Sequence, residues 1–231
     1  MQGKRLQVAF LILFGLTLLM FVDALFSPRA VLLGQQGTDL SAQFVYWYEF
    51  GFGQLAQGNL ALWNPHIFSG VPFFGGFQSA LLYPPNWLYL VLPIAKAVNV
   101  SIALHVLLAG FFLYLWTYHR GLHPAACLLS SILYMFSGPF FLHIYAGHLP
   151  HLAAMAWAPL LFCAIDGLIR ERSTLWYLVG VLALTMQILA GHPQYVFYTA
   201  IAAGLYSLLR LIEAPRRGSL LLGLGSMYLG A

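Results

Sequence analysis

Residues 6–26 read LQVAFLILFGLTLLMFVDALF, an apolar run in which Asp23 is the only charge. About 20 such residues in a helix cross the hydrocarbon core of a bilayer. A helix suits that core because lipid offers no partner to an unpaired backbone N–H or C=O. Further runs follow at 97–118, 124–143, 151–169, 174–190 and 193–213. A seventh opens near 219 and reaches Ala231, which reads as a span cut short. Only 7% of the chain is charged and 61% is hydrophobic, whereas soluble domains carry about 25% charged residues. So few charges cannot cover a water-facing surface. The chain reads as an all-α polytopic membrane protein with about six to seven transmembrane helices, in one module over 1–231 that is truncated at its C-terminus.

Lys4 and Arg5 before the first run, with Val22-Asp23-Ala24 after it, imitate a cleavable signal peptide. The run is long for a signal and the rest of the chain spans repeatedly, so it reads as an uncleaved anchor. Orientation follows from Lys and Arg, which accumulate on the cytoplasmic side. With the N-terminus in the cytoplasm, Lys4, Arg5, Arg120, Arg170, Arg172, Arg210, Arg216 and Arg217 fall inside. Only Arg29 and Lys96 fall outside. This makes a multi-pass protein of the cell membrane with an extracytoplasmic loop over 27–96. The basic residues form no patch, so nucleic acid is excluded as a partner and membrane lipid is expected. Cys127 and Cys163 lie in apolar runs and read as buried thiols.

The long loop opens with GTDLSAQFVYWYEFGFGQLAQG. Leu40, Phe44, Trp47, Tyr48 and Leu55 recur on one helical face. Thr38 is the candidate N-cap, and Asp39 follows in the first turn, where the helix dipole favours an anion. The spacing predicts an amphipathic interfacial helix over 38–58, lying on the outer leaflet with its apolar face toward lipid. Beyond it, WNPHIFSGVPFFGG and LLYPPNWLYLVLP are too rich in Pro and Gly for long helices. Trp87 and Tyr89 are expected to anchor a short re-entrant piece. Irregular backbone at membrane depth is tolerated where it lines a wet cavity, so the loop is expected to roof one.

Chemistry-bearing groups are few. The outer carboxylates are Asp23, Asp39 and Glu49. Five of the eight histidines (His66, His143, His148, His151 and His192) fall at the outer mouth, three of them in the breaks YAGHLPH and AGHPQ. His148 and His151 stand at i, i+3, a spacing able to hold a metal. No third ligand is evident beside them, so no metal site is read. There is no phosphate-binding glycine loop and no HExxH.

The first helix, the acidic residue early in the outer loop, GNLALWNPHIFSGVPFF, YPPNWLY and the later AGH breaks together resemble the YfhO-like membrane proteins. These belong to the GT-C class of polytopic glycosyltransferases, and the likeness runs over about residues 1–213. It implies an N-terminal GT-C module that uses a polyprenyl-phosphate sugar as donor and a glycan, lipid or protein as acceptor. In that class an acidic residue of the first outer loop acts as catalytic base. Asp39 matches that position, with Asp23 in reserve, and no adjacent acidic pair is present. A cationic group for the donor phosphate is also expected, which Arg29, Lys96, the histidines or a divalent cation would supply. His148, His151, His192, Trp63, His66 and Gln43 are the candidates for holding substrate. Two other readings stay open: a transporter or flippase of a lipid-linked or small polar substrate, and a non-catalytic membrane fragment.

Overall fold

The computed structural model describes residues 2–213 and 217–231. Its helices are α1 (Gln2–Phe26), the short α2 (Val45–Ala56), α3 (Ile94–His119), α4 (Pro124–Met135), α5 (Gly138–Ala146), α6 (Leu149–Glu171), α7 (Thr174–Leu189), α8 (Pro193–Glu213) and α9 (Arg217–Leu229). Among the described residues, five stretches are long and apolar enough to cross a membrane: Gly3–Phe26, Ile94–His119, Pro124–Ala146, Leu149–Glu171 and Pro193–Ile212. The chain is an all-α membrane protein. Among the described residues, sheet is limited to one two-residue hairpin that pairs Trp63 with Pro72 and Asn64 with Val71.

The run read as one span over 124–143 is two helices. Pro139 cannot donate the hydrogen bond that a continuous helix needs there. Ser137 is extended, with ψ 158°, and α5 restarts with Pro139 in its first turn.

α6 is the axle of the bundle and packs on α3, α5, α7, α8 and α9. Its apolar window is 83% buried, against 28% for α1, so α1 keeps a broad face for lipid. Pro159 lies inside α6. Five residues earlier, Gln187 of α7 donates to the Ala154 carbonyl at 2.9 Å and ties α7 to α6.

The two ends of the bundle differ. The basic end holds the turns near Arg120 and Arg170 and the end of α8, where Arg170 donates to the His119 carbonyl and Arg210 meets Asp166. The loop end carries residues 27–93 and the α5–α6 and α7–α8 breaks. There, α3 clamps the exit of α1. Lys96 Nζ donates to the Leu25 and Ser27 carbonyls at 2.8 and 2.6 Å. Asn99 donates to Ala24 and Val31 and accepts from the Leu33 N–H. Carbonyls left over at a helix C-terminus need such donors, and a cation also suits the dipole.

The loop helix departs from expectation in two ways. A π-helical turn over Leu40–Phe44 leads into α2, and neither Thr38 nor Asp39 caps it. Thr38 Oγ1 donates to the Gln35 carbonyl instead. The apolar face also meets protein. Leu40, Phe44, Tyr48 and Phe52 are buried, with Tyr48 and Phe52 against Tyr89 at ring-centroid distances of 4.9 and 5.2 Å. The loop brings its own apolar partners, Phe73, Leu81 and Tyr89, so this face needs no lipid. Pro84–Leu90 forms a 3-10 helix. Its Tyr89 is buried, and Trp87 is half-exposed and donates to the Leu81 carbonyl.

Candidate functional site

Two glycines build the site. Gly147 ends α5 in the left-handed region, at φ +77°. Its N–H bonds to Ile144, and the His148 N–H reaches back to the His143 carbonyl at 2.9 Å. This paired pattern is the Schellman ending of a helix, which folds the chain back over its last turn. It sets His148 beside His143, with Nδ1 to Nδ1 at 3.0 Å. His151 stands in the first turn of α6, three residues beyond His148 and on the same face. Gly191 ends α7 at φ +85°, and His192 follows it.

The same glycines dock the long loop. A Cβ on Gly147 would collide with the backbone and Cβ of Leu40, and one on Gly191 would lie 2.6 Å from the Phe77 carbonyl. Only hydrogen at these Cα atoms lets the loop sit this low. Docking Leu40 on Gly147 brings its neighbour Asp39 to His148, with Oδ2 3.2 Å from Nε2. Docking Phe77 on Gly191 brings Gln78 over the same break, where its side chain meets Gln43 at 3.5 Å.

The result is a histidine cluster with one carboxylate. One ring nitrogen from each of His143, His148 and His151 lies within 4.8 Å of the other two. The sequence offered no third metal ligand beside His148 and His151. The helix ending supplies His143, five residues upstream of His148. His192 joins from the α7–α8 break, its ring centroid 3.3 Å from that of His151. His192 is 8% exposed, and its Nε2 has no hydrogen-bond partner. Burial, together with nearby His143 and His148, pushes its pKa below the ordinary imidazole value. The Asp39 side chain is 59% exposed.

No protein-family model, curated protein or solved structure matches this chain. The site therefore rests on its own geometry.

The other candidate residues divide. Asp23 is exposed on α1, and no ion pair ties it to the histidines among the described residues. Gln43 and His66 line a groove of about 480 Å³ with Tyr46, Trp47, Glu49 and Asn64. The His66 ring sits edge-on to Phe50. Trp63 covers Gly70 at the hairpin, an approach that a Cβ on Gly70 would block at 2.5 Å. Lys96 is held by the two carbonyls at the end of α1.

Reading the sequence also missed Asp166, inside α6 at the basic end. It is 0% exposed and accepts from Trp116 Nε1 at 2.9 Å, Tyr206 OH at 2.6 Å and Arg210 Nε at 2.8 Å. Arg120 approaches at 3.4 Å. The available signal was a lone carboxylate in an apolar run, which demands partners on neighbouring helices.

Proposed function

We propose that this chain is a membrane glycosyltransferase module that moves a sugar from a polyprenyl-phosphate donor to an acceptor at the outer membrane face. Its topology has six or seven spans, a cytoplasmic N-terminus and an extracytoplasmic loop. The bias of Lys and Arg supports the orientation. The likeness to the YfhO-like GT-C proteins supports the substrate class. The observation that carries the site is the Asp39–His148 contact at 3.2 Å, which joins the acidic residue of the long loop to the histidine cluster.

In this reading Asp39 takes the proton of an acceptor hydroxyl as its oxygen attacks the anomeric carbon. The bond from that carbon to the phosphate oxygen breaks, and polyprenyl phosphate leaves. His148 holds the carboxylate in place. The histidines face the leaving phosphate, which needs donors or positive charge placed in advance. The groove lined by Gln43, Trp47 and His66 takes the acceptor.

General-base catalysis contributes about 10²–10⁴-fold. Asp39→Asn therefore lowers transfer from a lipid-linked sugar by about that factor in folded protein, and Asp23→Asn leaves it near normal. Unchanged transfer in Asp39→Asn sinks the assignment. Orientation is tested with a cysteine at the exposed Ser69, which labels from outside with an impermeant reagent in intact cells. Cys127 and Cys163 are both buried and give little background. Labelling only after the membrane is opened inverts the topology.

A further inference from the structure

The histidine cluster gathers imidazole nitrogens that can bind a cation. The Asp39 carboxylate can only accept, so His148 offers it Nε2–H. This turns Nδ1 of His148 toward Nδ1 of His143, 3.0 Å away, a contact that a single Nδ1–H of His143 bridges. His151 brings a third nitrogen within 4.8 Å of both. Beside them is His192, more than nine-tenths buried, with Nε2 unpartnered and its ring against His151. Buried polar atoms are normally satisfied. An orphaned imidazole nitrogen on a ring packed against one of three converging imidazoles therefore indicates a missing partner.

We propose that His143, His148 and His151 bind a divalent transition-metal ion of the zinc class, with Asp39 behind His148 as the carboxylate that orients it. Three imidazoles around a tetrahedral ion at about 2.0–2.1 Å place their nitrogens roughly 3.3 Å apart. The 3.0 Å separation and the 4.8 Å limit are reached from that arrangement by small side-chain rotations. All three residues sit at helix ends fixed by Gly147, so the backbone is already in position. The carboxylate–histidine pairing is the usual second tier of a zinc site: it fixes the tautomer and raises the basicity of the ligand. Imidazole donors suit Zn²⁺, and Mg²⁺ and Ca²⁺ prefer oxygen.

Three protein ligands leave a fourth position for water or an anionic oxygen, the open form of site that does chemistry. His192, its ring packed on His151, is the neighbouring imidazole at this site. For positive charge the loop end otherwise offers Arg29, exposed just past α1, because Lys96 is engaged with the α1 carbonyls. That the ion faces the donor phosphate rests on the glycosyltransferase reading. That it binds does not.

The test is metal content. The full chain is purified in detergent through a tag without histidine, stripped with chelator and refilled with Zn²⁺ or Co²⁺. The expected result is about one ion per chain, with the visible bands of tetrahedral Co²⁺, retained against excess Mg²⁺. His148→Ala and His151→Ala lose the ion, and His66→Ala keeps it. Asp39→Asn weakens binding by about 10–100-fold without abolishing it. Failure of the wild-type chain to retain Zn²⁺ overturns the proposal. So does ready displacement by Mg²⁺, or wild-type affinity in both histidine variants. A chain that retains no Zn²⁺ yet transfers sugar would sink this inference and leave the enzyme reading intact. A bound ion without transfer would do the reverse.

Discussion

The two ends of the bundle hold carboxylates under opposite conditions. Asp166 at the basic end is fully buried and takes three short hydrogen bonds from Trp116, Tyr206 and Arg210, with Arg120 nearby. Asp39 at the loop end is 59% exposed and meets only His148 among the ion pairs of the described residues. The Asp166 network is closed, with each oxygen committed to a donor. The histidine cluster is open, with an orphaned Nε2 on His192. A satisfied buried network holds helices in register. A partly satisfied one is costly unless something else completes it.

The widest gap between the ends is in stability. Asp166→Ala strands the donors of Trp116 and Tyr206 and removes one partner of Arg210, a loss of roughly 3–5 kcal/mol. Asp39→Ala costs less than about 1 kcal/mol, as for a solvated pair. Reversible unfolding in detergent measures both, and a larger loss for Asp39→Ala would reverse the comparison. Within the basic end, Arg210→Gln costs about 1.5–3 kcal/mol, the range for a hydrogen bond to a charged group. Arg120→Gln costs less than about 1 kcal/mol, because Arg120 is 38% exposed and 3.4 Å away. Equal losses would show that the two arginines share the charge.

Next in size are the glycines beneath the loop. Gly147→Ala and Gly191→Ala each pay about 1–2 kcal/mol for a left-handed backbone and also displace Leu40 or Phe77. Limited proteolysis within 27–93 should speed up in both variants. Gly53→Ala, in α2 with open space around its Cβ, should instead stabilise by about 0.5–1 kcal/mol. Undocking by Gly53→Ala as well would refute the view that close approach is what seats the loop.

The smallest effect is on pH dependence. The depressed pKa of His192 comes from burial, then from His143 and His148. Below about pH 6.5 the unfolded chain protonates this imidazole, and the folded chain resists doing so. Its contribution to stability is therefore complete above that pH and declines as the pH falls toward the folded value. His192→Gln should flatten this part of the acid slope, measured by unfolding midpoint against pH, and Arg120→Gln should leave it unchanged. An unaltered slope in His192→Gln would place the acid sensitivity in other groups.

The sequence by itself determined the lipid environment and most helix positions, because an apolar run of about 20 residues has no other stable use. It also placed a helix over α2 from the spacing of Leu40, Phe44 and Tyr48. It marked the AGH breaks too, since glycine and proline act on their own backbone. Tertiary structure alone decided what those faces and breaks meet. The apolar face of α2 lies on Tyr89, not on lipid, because the loop folds back on itself. His143 stands beside His148 through a helix ending set by hydrogen bonds across six residues. Asp39 reaches His148 because Leu40 settles on a glycine more than a hundred residues away. Asp166 is tolerated in the interior because α3 and α8 bring it donors. Periodicity is local and legible along the chain, whereas partnership between distant residues exists only once the helices have packed.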